Sequence, residues 1–587
     1  MGLLRILAFP FVLLVQLLRR PLLLRRKKRA AGKDGWVELE LEGSVVEYRP
    51  APEPWYRRMI PWRQEPRLVT LAGVERLVLE LKGDPTVKGL VLRMSDATMS
   101  LRAAAQLRAL MKELRATNKD VVAWIAHSAG NKEYILATAA RQIWAMPAAI
   151  LAPVGAASSG LFLKEALDRL GVRFEVRAAG KYKSAPDALT RVDRSDADRE
   201  QTEAIIGAVD RTLVQAVSEG RGISEAEAIA KIDQAPASGA RALEAGLVDA
   251  LIYDEDVART LSPQTEQKIP AELVDARDYL SARTIQPLFR GRKKWVGVVE
   301  VHGAIMEQAG PFSSATGGAV ATEKAVVADL RAALAHPKVG AVVLHIDSRG
   351  GSVIASEAMY GMIRRLDEEK PVIACFGDVA ASGGYYVACG ARTIVASPLT
   401  ITGSIGVFSM MPTWPELAAR LGLHPDLLKN RLHAALYDPW RSPTEEERAH
   451  GQAEVEGMYE AFLAKVAAAR KKTRDEVHAV AQGRVWMAEA AKEAGLVDGL
   501  GGFTEALERA KAEGKGTYER DPRLIRAKRP LPRPDPREEE MVPQKTWLQA
   551  LGLLPPGERA LIGEILALLG SAPAERRVFH WAPVPRP

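Results

Sequence analysis

Ser382 lies in the run Ala380-Ala-Ser-Gly-Gly-Tyr-Tyr386, where an apolar, strand-like segment gives way to a helical pattern beginning at Gly383. A hydroxyl at such a junction faces the free N–H groups and the positive dipole end of the helix, a setting suited to a nucleophile that generates an oxyanion. The N–H of Gly383 could serve as one oxyanion donor. The preceding strand runs into Asp347-Ser-Arg-Gly-Gly-Ser352, and Gly350 or Gly351 could supply the second donor. A residue without Cβ lets its backbone N–H come close to a ligand. A plainer reading stands beside this one: Ser382 caps the helix and the glycines make a tight turn.

A serine nucleophile needs a proton acceptor. None of the nine histidines stands in a Ser-His-Asp context. Three motifs carry the argument further in combination: A-A-S-G-G-Y-Y, the later T-G-S-I-G-V-F, and the upstream S-R-G-G-S-V-I-A-S-E. Together they resemble the signal peptide peptidase A (protease IV) family in its long, duplicated form, over roughly residues 36–515. The resemblance implies Ser382 as nucleophile and Lys183, in Gly180-Lys-Tyr-Lys-Ser-Ala185, as general base. It implies Ser404 as the residue that orients the lysine amine. It further implies ClpP/crotonase-like α/β repeats, the N-terminal one giving the lysine and the C-terminal one the serine. The substrates would be hydrophobic peptides such as cleaved signal peptides, the assembly a homotetramer, and no cofactor is called for. The usual N-S-P-G-G-S of the family reads D-S-R-G-G-S here, and an Arg349–Asp347 pair is expected to replace the stiffness of the missing proline.

A lysine base must be neutral, whereas an ordinary lysine titrates near ~10.4. Desolvation away from carboxylates lowers that value, and K-Y-K-S-A-P has no acid before Asp187. Lys181, two residues along and on the same face of a strand, is the rival base. His433 is the counterpart of Lys183 in the second copy, but the first copy has Asn131 where the second has Ser382, so a surface or packing role is expected for it.

The elements that must hold these residues come from an internal duplication. E-A-G-L-V-D occurs at Glu244–Asp249 and again at Glu493–Asp498, 249 residues apart. Each copy opens with a tryptophan-led strand at Trp36 or Trp295. Each then alternates helical patterns with short apolar strands, V-K-G-L-V-L-R against V-G-A-V-V-L-H and D-V-V-A-W-I against P-V-I-A-C-F. Such alternation predicts an α/β fold of two tandem repeats, each a mostly parallel sheet with flanking helices. The expected boundaries are 36–280 for the N-terminal repeat and 290–515 for the C-terminal repeat. A basic, apolar segment at 1–30, a Pro-rich linker at 520–543 and a helical tail at 544–587 flank them.

Charge is concentrated at one end. The first 29 residues hold eight cations and no acid, while the remainder carries 73 basic and 73 acidic side chains. That distribution argues for an anionic membrane surface and against nucleic acid as a partner. The apolar run Ile6–Leu18 has 13 residues, which reach only ~20 Å against the ~30 Å of a hydrocarbon core. An interfacial anchor or a short tilted span in a bacterial inner membrane is therefore expected. The charge rule puts the body in the cytoplasm and the family resemblance puts it in the periplasm. Two cysteines, Cys375 and Cys389, rule out a disulfide framework and a multi-cysteine metal site. Two further functions compete with the peptidase, a crotonase-type acyl-CoA enzyme and a non-catalytic membrane scaffold; Ser382, Lys183 and Ser404 together favour the peptidase.

Overall fold

The computed structural model describes residues 35–48, 68–262, 271–283, 293–308 and 319–527. The segment at 1–30, the linker beyond residue 527 and the tail at 544–587 lie outside them. The chain divides into two compact units, Met1–Gly155 with Ala208–Arg292 and Ala156–Gly207 with Lys293–Pro587. This is not the simple division near residue 285 that the duplication suggests. The segment carrying Lys183 belongs to the first copy by sequence and to the second unit by structure.

The first unit is built on a seven-stranded, wholly parallel sheet. Its strands run in the order Ala250–Leu251, Gln142–Ala145, Asp120–Ile125, Val87–Thr98, Gly35–Val46 and Leu273–Asp275, with Leu68–Thr70 beside Gly35–Val46. Alternate residues of a strand face opposite sides of the sheet, so a parallel sheet covered on both sides needs nearly continuous apolar strands. Leu90 and Leu92 join the larger core, while Val91 packs with Trp36, Trp124 and Trp144 in a second cluster.

The second unit has an eight-stranded sheet in which Val485–Met487 is the one antiparallel strand, paired with Ile401–Gly403. Val372–Ala381, Val339–Ser348 and Trp295–His302 form its centre. Between the last two pairings of the first two strands the register slips, from Ile346 opposite Phe376 to Ser348 opposite Ala380. The Asp347 carboxylate accepts from the Val379 N–H within this irregularity, at 3.2 Å. The slip bends the strand end that leads into Ser382.

Each copy of the E-A-G-L-V-D hexapeptide does the same work inside its own unit. In the first, Tyr134 donates to the Leu247 carbonyl and Asp249 accepts from the Ile143 N–H, both at 2.7 Å. In the second, Tyr385 donates to the Leu496 carbonyl and Asp498 accepts from the Ile394 N–H, again at 2.7 Å. An arginine, Arg221 or Arg470, pairs with each aspartate. The repeated sequence is therefore a clasp between helix and sheet, buried at its tyrosine end and open to solvent at its aspartate end. Cys375 and Cys389 are both buried thiols outside any disulfide, and burial pushes the Cys389 thiol up to about 12.

Candidate functional site

The second unit also contains a two-stranded antiparallel ribbon, Arg173–Ala179 against Val407–Thr413, paired over seven residues with Ala179 opposite Val407. That register fixes the local geometry. Ser404 lies three residues before Val407 and Lys183 four residues after Ala179, so closing the ribbon brings the two loops together. A third element holds them there. The Tyr182 N–H donates to the Gln482 carbonyl at 2.8 Å, the Gly483 N–H to Ile405 at 2.8 Å, and the Ser404 N–H to Arg484 at 2.7 Å. A Cβ on Gly483 would lie 2.7 Å from the Lys183 nitrogen and 2.9 Å from its Cβ, so only glycine lets the strand pass so close to the lysine.

Lys183 Nζ sits 3.0 Å from Ser382 Oγ, 2.9 Å from Ser404 Oγ and 2.9 Å from the Ser404 carbonyl oxygen. The side chain is 8% exposed. A neutral amine has two N–H donors and one lone pair, and three partners match that inventory. Both N–H bonds go to the two Ser404 oxygens, and the lone pair is left for the Ser382 hydroxyl proton. Burial lowers the Lys183 pKa to about 7, with no carboxylate nearby to oppose it. Near neutral pH a large fraction of the amine is therefore already free to accept a proton.

Ser382 does not cap the helix Gly383–Ala388, since its side chain accepts no hydrogen bond from that helix. Its backbone adopts φ 53° and ψ −120°, a left-sided conformation that a non-glycine residue rarely takes. Ser404 (φ 51°) and Gln482 (φ 52°) are likewise at positive φ, and so are Gly350, Gly351, Gly403 and Gly483. Strained backbone of this kind persists only where surrounding packing over-determines it, and it clusters at functional sites. The plainer reading of Ser382 as a helix cap is set aside by this geometry.

The two glycines of the S-R-G-G turn prove unequal. The Gly350 N–H donates to the Ser348 hydroxyl at 3.1 Å, in a buried bond, and is not available to an oxyanion. Among the described residues, the N–H groups of Gly351 and Gly383 have no acceptor. These two loops are in contact, because a Cβ built on Gly383 would stand 3.2 Å from the Gly351 nitrogen. The candidate oxyanion donors are thus Gly351 and Gly383, with Gly350 in a supporting place. Its own Cβ would meet the Gly383 nitrogen at 2.4 Å.

The rivals fall elsewhere. Lys181 is exposed and lies over the Tyr182 ring at 4.9 Å. His433 stacks on His450, with ring centroids 4.3 Å apart. In the first unit Asn131 is buried and turned onto Gly155. Its amide donates to the Gly155 carbonyl at 2.6 Å and its carbonyl accepts the Gly155 N–H at 3.2 Å. That side chain ties down a loop through both ends of its amide. Arg349 is exposed, and the Asp347 carboxylate is turned toward the Val379 N–H. Sequence reading missed Gln482-Gly483, the pair that seats the lysine. The signal available was a glycine just ahead of the strand Val485–Met487, at a place where the first copy has Gln234.

The model of peptidase family S49 matches residues 113–268 and 364–516, more than half of the chain. This protein belongs to peptidase family S49. The Clp protease family model also matches residues 315–400, in keeping with the α/β fold and its parallel sheets. "Protease 4" of Salmonella typhi is 32% identical over 451 residues, covering 75% of this chain and 71% of that protein. "Protease 4" of Haemophilus influenzae is 29% identical over 502 residues, covering 83% of this chain and 80% of that one. "Serine protease SPPA, chloroplastic" of Arabidopsis thaliana is 30% identical over 452 residues, 76% of this chain; the match spans 66% of the plant protein, just under two thirds of its length. The chain is accordingly a serine peptidase, and the acyl-CoA and scaffold readings fall away.

A neutral lysine that titrates near 7 makes a prediction for the pH profile. Protonation removes the lone pair, so kcat/KM should fall about tenfold per pH unit below about 7 and level off above it. Initial rates on one peptide between pH 5 and 9 check this. A profile flat across that range would mean that no group of this kind accepts the proton.

Proposed function

We propose that this protein is a membrane-associated Ser/Lys endopeptidase that degrades hydrophobic peptides such as cleaved signal peptides. The observation that carries the reading is the 3.0 Å approach of a buried, carboxylate-free lysine amine to the Ser382 hydroxyl. Ser382 Oγ attacks the scissile carbonyl carbon while Lys183 Nζ takes its proton. The tetrahedral oxyanion is met by the N–H groups of Gly351 and Gly383. Each such donor contributes a factor of about 10²–10³, and a positioned base about 10²–10⁴. The Lys183 ammonium then returns the proton to the departing amine, leaving an acyl-Ser382 ester. Water attacks that ester as Lys183 takes its proton; the C–O bond to Ser382 then breaks as the Lys183 ammonium returns that proton to Ser382 Oγ, and the acid product leaves with the dyad restored. The two Ser404 oxygens accept two N–H bonds from Lys183, and so aim the lone pair of the neutral amine, or the third N–H of the ammonium, at the reacting atoms.

The substrate class follows from the relatives, one of which is named a putative signal peptide peptidase. Attachment to a bacterial inner membrane rests on the apolar run and eight cations within residues 1–29. Among the described residues no helix is long and apolar enough to cross a membrane. Assembly as a homotetramer with inward-facing sites would bar folded proteins and admit extended peptides.

A serine-reactive fluorophosphonate tests the assignment of the nucleophile. One equivalent should attach to Ser382 in the wild type, found by peptide mass mapping, and none to Ser382→Ala. Labelling at another serine, with Ser382 untouched, would overturn it.

A further inference from the structure

A cavity of about 330 Å³ lies in the second unit beside the ribbon. Half of its wall is apolar, including Val353, Val407 and Phe408, and the other half includes Arg177, Ser409 and His450, so the lining is mixed. Two walls continue directly into the catalytic loops: Val353 is two residues past Gly351, and Val407 is three residues past Ser404. At ~3.3 Å per residue both separations are within ~10 Å, about the reach of three residues of extended peptide.

One charged group is buried in this wall. Arg177 is 6% exposed, and among the described residues its Nε and Nη2 atoms have no hydrogen-bond partner. It stands opposite Ser409 in the ribbon and lies under Gly451 of the helix Glu445–Arg470. A Cβ on Gly451 would come within 2.4 Å of Arg177 Nε, so a side chain at that place would displace the guanidinium. Nearby acids do not neutralise it. Glu175, on the same ribbon strand, is engaged by Arg448 through two bonds of 3.1 Å. Glu454, the acid on the cavity wall, is exposed and forms no ion pair with it among the described residues. An arginine cannot shed its proton to escape burial as a lysine can, and its planar fork is matched to a carboxylate. An unpaired buried charge is costly, and an arriving anion would remove that penalty.

We infer that Arg177 is a specificity residue of this peptidase, recognising a carboxylate on the bound peptide, foremost its free C-terminus. A pocket with an apolar half and a buried guanidinium suits the end of a hydrophobic peptide, in which a side chain packs on the apolar wall and the terminal carboxylate meets the guanidinium. The enzyme would then prefer short fragments with a free end near the scissile bond over internal sites in long chains. This inference rests on the peptidase reading above.

The test uses one hydrophobic peptide in three forms: the free acid, the C-terminal amide, and the amide carrying a single Glu moved through successive positions. Charge-assisted hydrogen bonds of this type correspond to about tenfold to hundredfold in kcat/KM. The wild type should prefer the acid by that factor. Arg177→Met should bring the ratio close to one, and Arg177→Lys should restore part of it. Faster cleavage of one Glu-bearing amide, also lost in Arg177→Met, would make a side-chain carboxylate the recognised group and still support the site. Thermal melting checks that Arg177→Met is folded, and the wild-type ratio needs no variant at all. Equal rates for all three forms in the wild type, or a preference that survives Arg177→Met, would overturn the inference. Failure of the wild type to cleave any form, in a preparation that fluorophosphonate labels at Ser382, would instead count against the peptide-substrate reading, and the carboxylate subsite would fall with it.

Discussion

Replacing Lys183 by Met should abolish turnover while making the protein's stability less sensitive to alkali. The activity loss follows from chemistry: without an acceptor the Ser382 hydroxyl keeps its proton, and a fall in kcat of about 10³-fold or more is expected. The stability effect has a definite sign. Burial lowers the native pKa of Lys183 to about 7, whereas in the unfolded chain it returns to ~10.4. Between those values the unfolded state holds a proton that the native state lacks, so wild-type stability rises with pH across this window and is lost as pH falls toward 7. Keeping the neutral amine buried at pH 7–8 costs roughly 3–5 kcal/mol relative to strongly alkaline solution. Met removes that dependence, although it leaves the two Ser404 oxygens without their donors, at about 1–3 kcal/mol. The decisive measurement is therefore the slope. The wild-type melting temperature should gain on that of Lys183→Met between pH 7 and 9, and parallel curves would mean that the lysine is not desolvated in solution.

Gly351→Ala is expected to be nearly as damaging, for a different reason. Gly351 has φ of 150°, and an added Cβ would meet the Ile305 carbonyl oxygen at 2.1 Å. The contact is with backbone, so no rotamer change relieves it. Ile305 and the glycine turn are also bonded to each other, through Ile305 N–H to Gly350 at 2.9 Å and Ser352 N–H to Ile305 at 2.8 Å. The turn must move, and with it the Gly351 N–H. A loss of about 10²–10³ in kcat, with little change in KM, is the expected size for one misplaced oxyanion donor. The fluorophosphonate should react correspondingly more slowly with Ser382. Gly361→Ala serves as the control. Gly361 is exposed within the helix Val353–Glu369, and no atom lies within 4 Å of its would-be Cβ. That variant should gain about 0.5–1 kcal/mol and keep full activity. Normal kcat in Gly351→Ala would remove this glycine from the oxyanion site.

Much of the molecule was legible as sequence because its signals are local or periodic. The alternation of short apolar strands with helical stretches specifies parallel α/β units, since strands covered on both faces must be apolar throughout. The duplicated hexapeptide marked equivalent places, and the structure gives both copies the same clasp through Tyr134 and Tyr385. Ser382 stands out by its local setting at a strand-to-helix junction, whereas its role as nucleophile and the roles of Lys183 and Ser404 come from the family resemblance of their motifs.

What only the tertiary structure decided are matters of a few ångströms between residues distant in the chain. Lys183 and Ser382 are 199 positions apart and lie at 3.0 Å because the register of Ala179 with Val407 brings Lys183 to the Ser404 loop, while the pairing of Ala381 with Gly403 sets Ser382 beside the same loop. The pairing of Ala179 with Val407 assigns Ala156–Gly207 to the unit of its catalytic partner and not to the repeat from which it derives. The choice between Gly350 and Gly351 turned on one bond to Ser348, which no sequence pattern encodes. Arg177 looked like any strand arginine until packing against Gly451 buried it without a partner. Composition and periodicity determine which faces seek burial. Which polar groups that burial brings within hydrogen-bond reach, as it does Lys183 with Ser382 and Ser404, and which it leaves without a partner is settled by the packing itself.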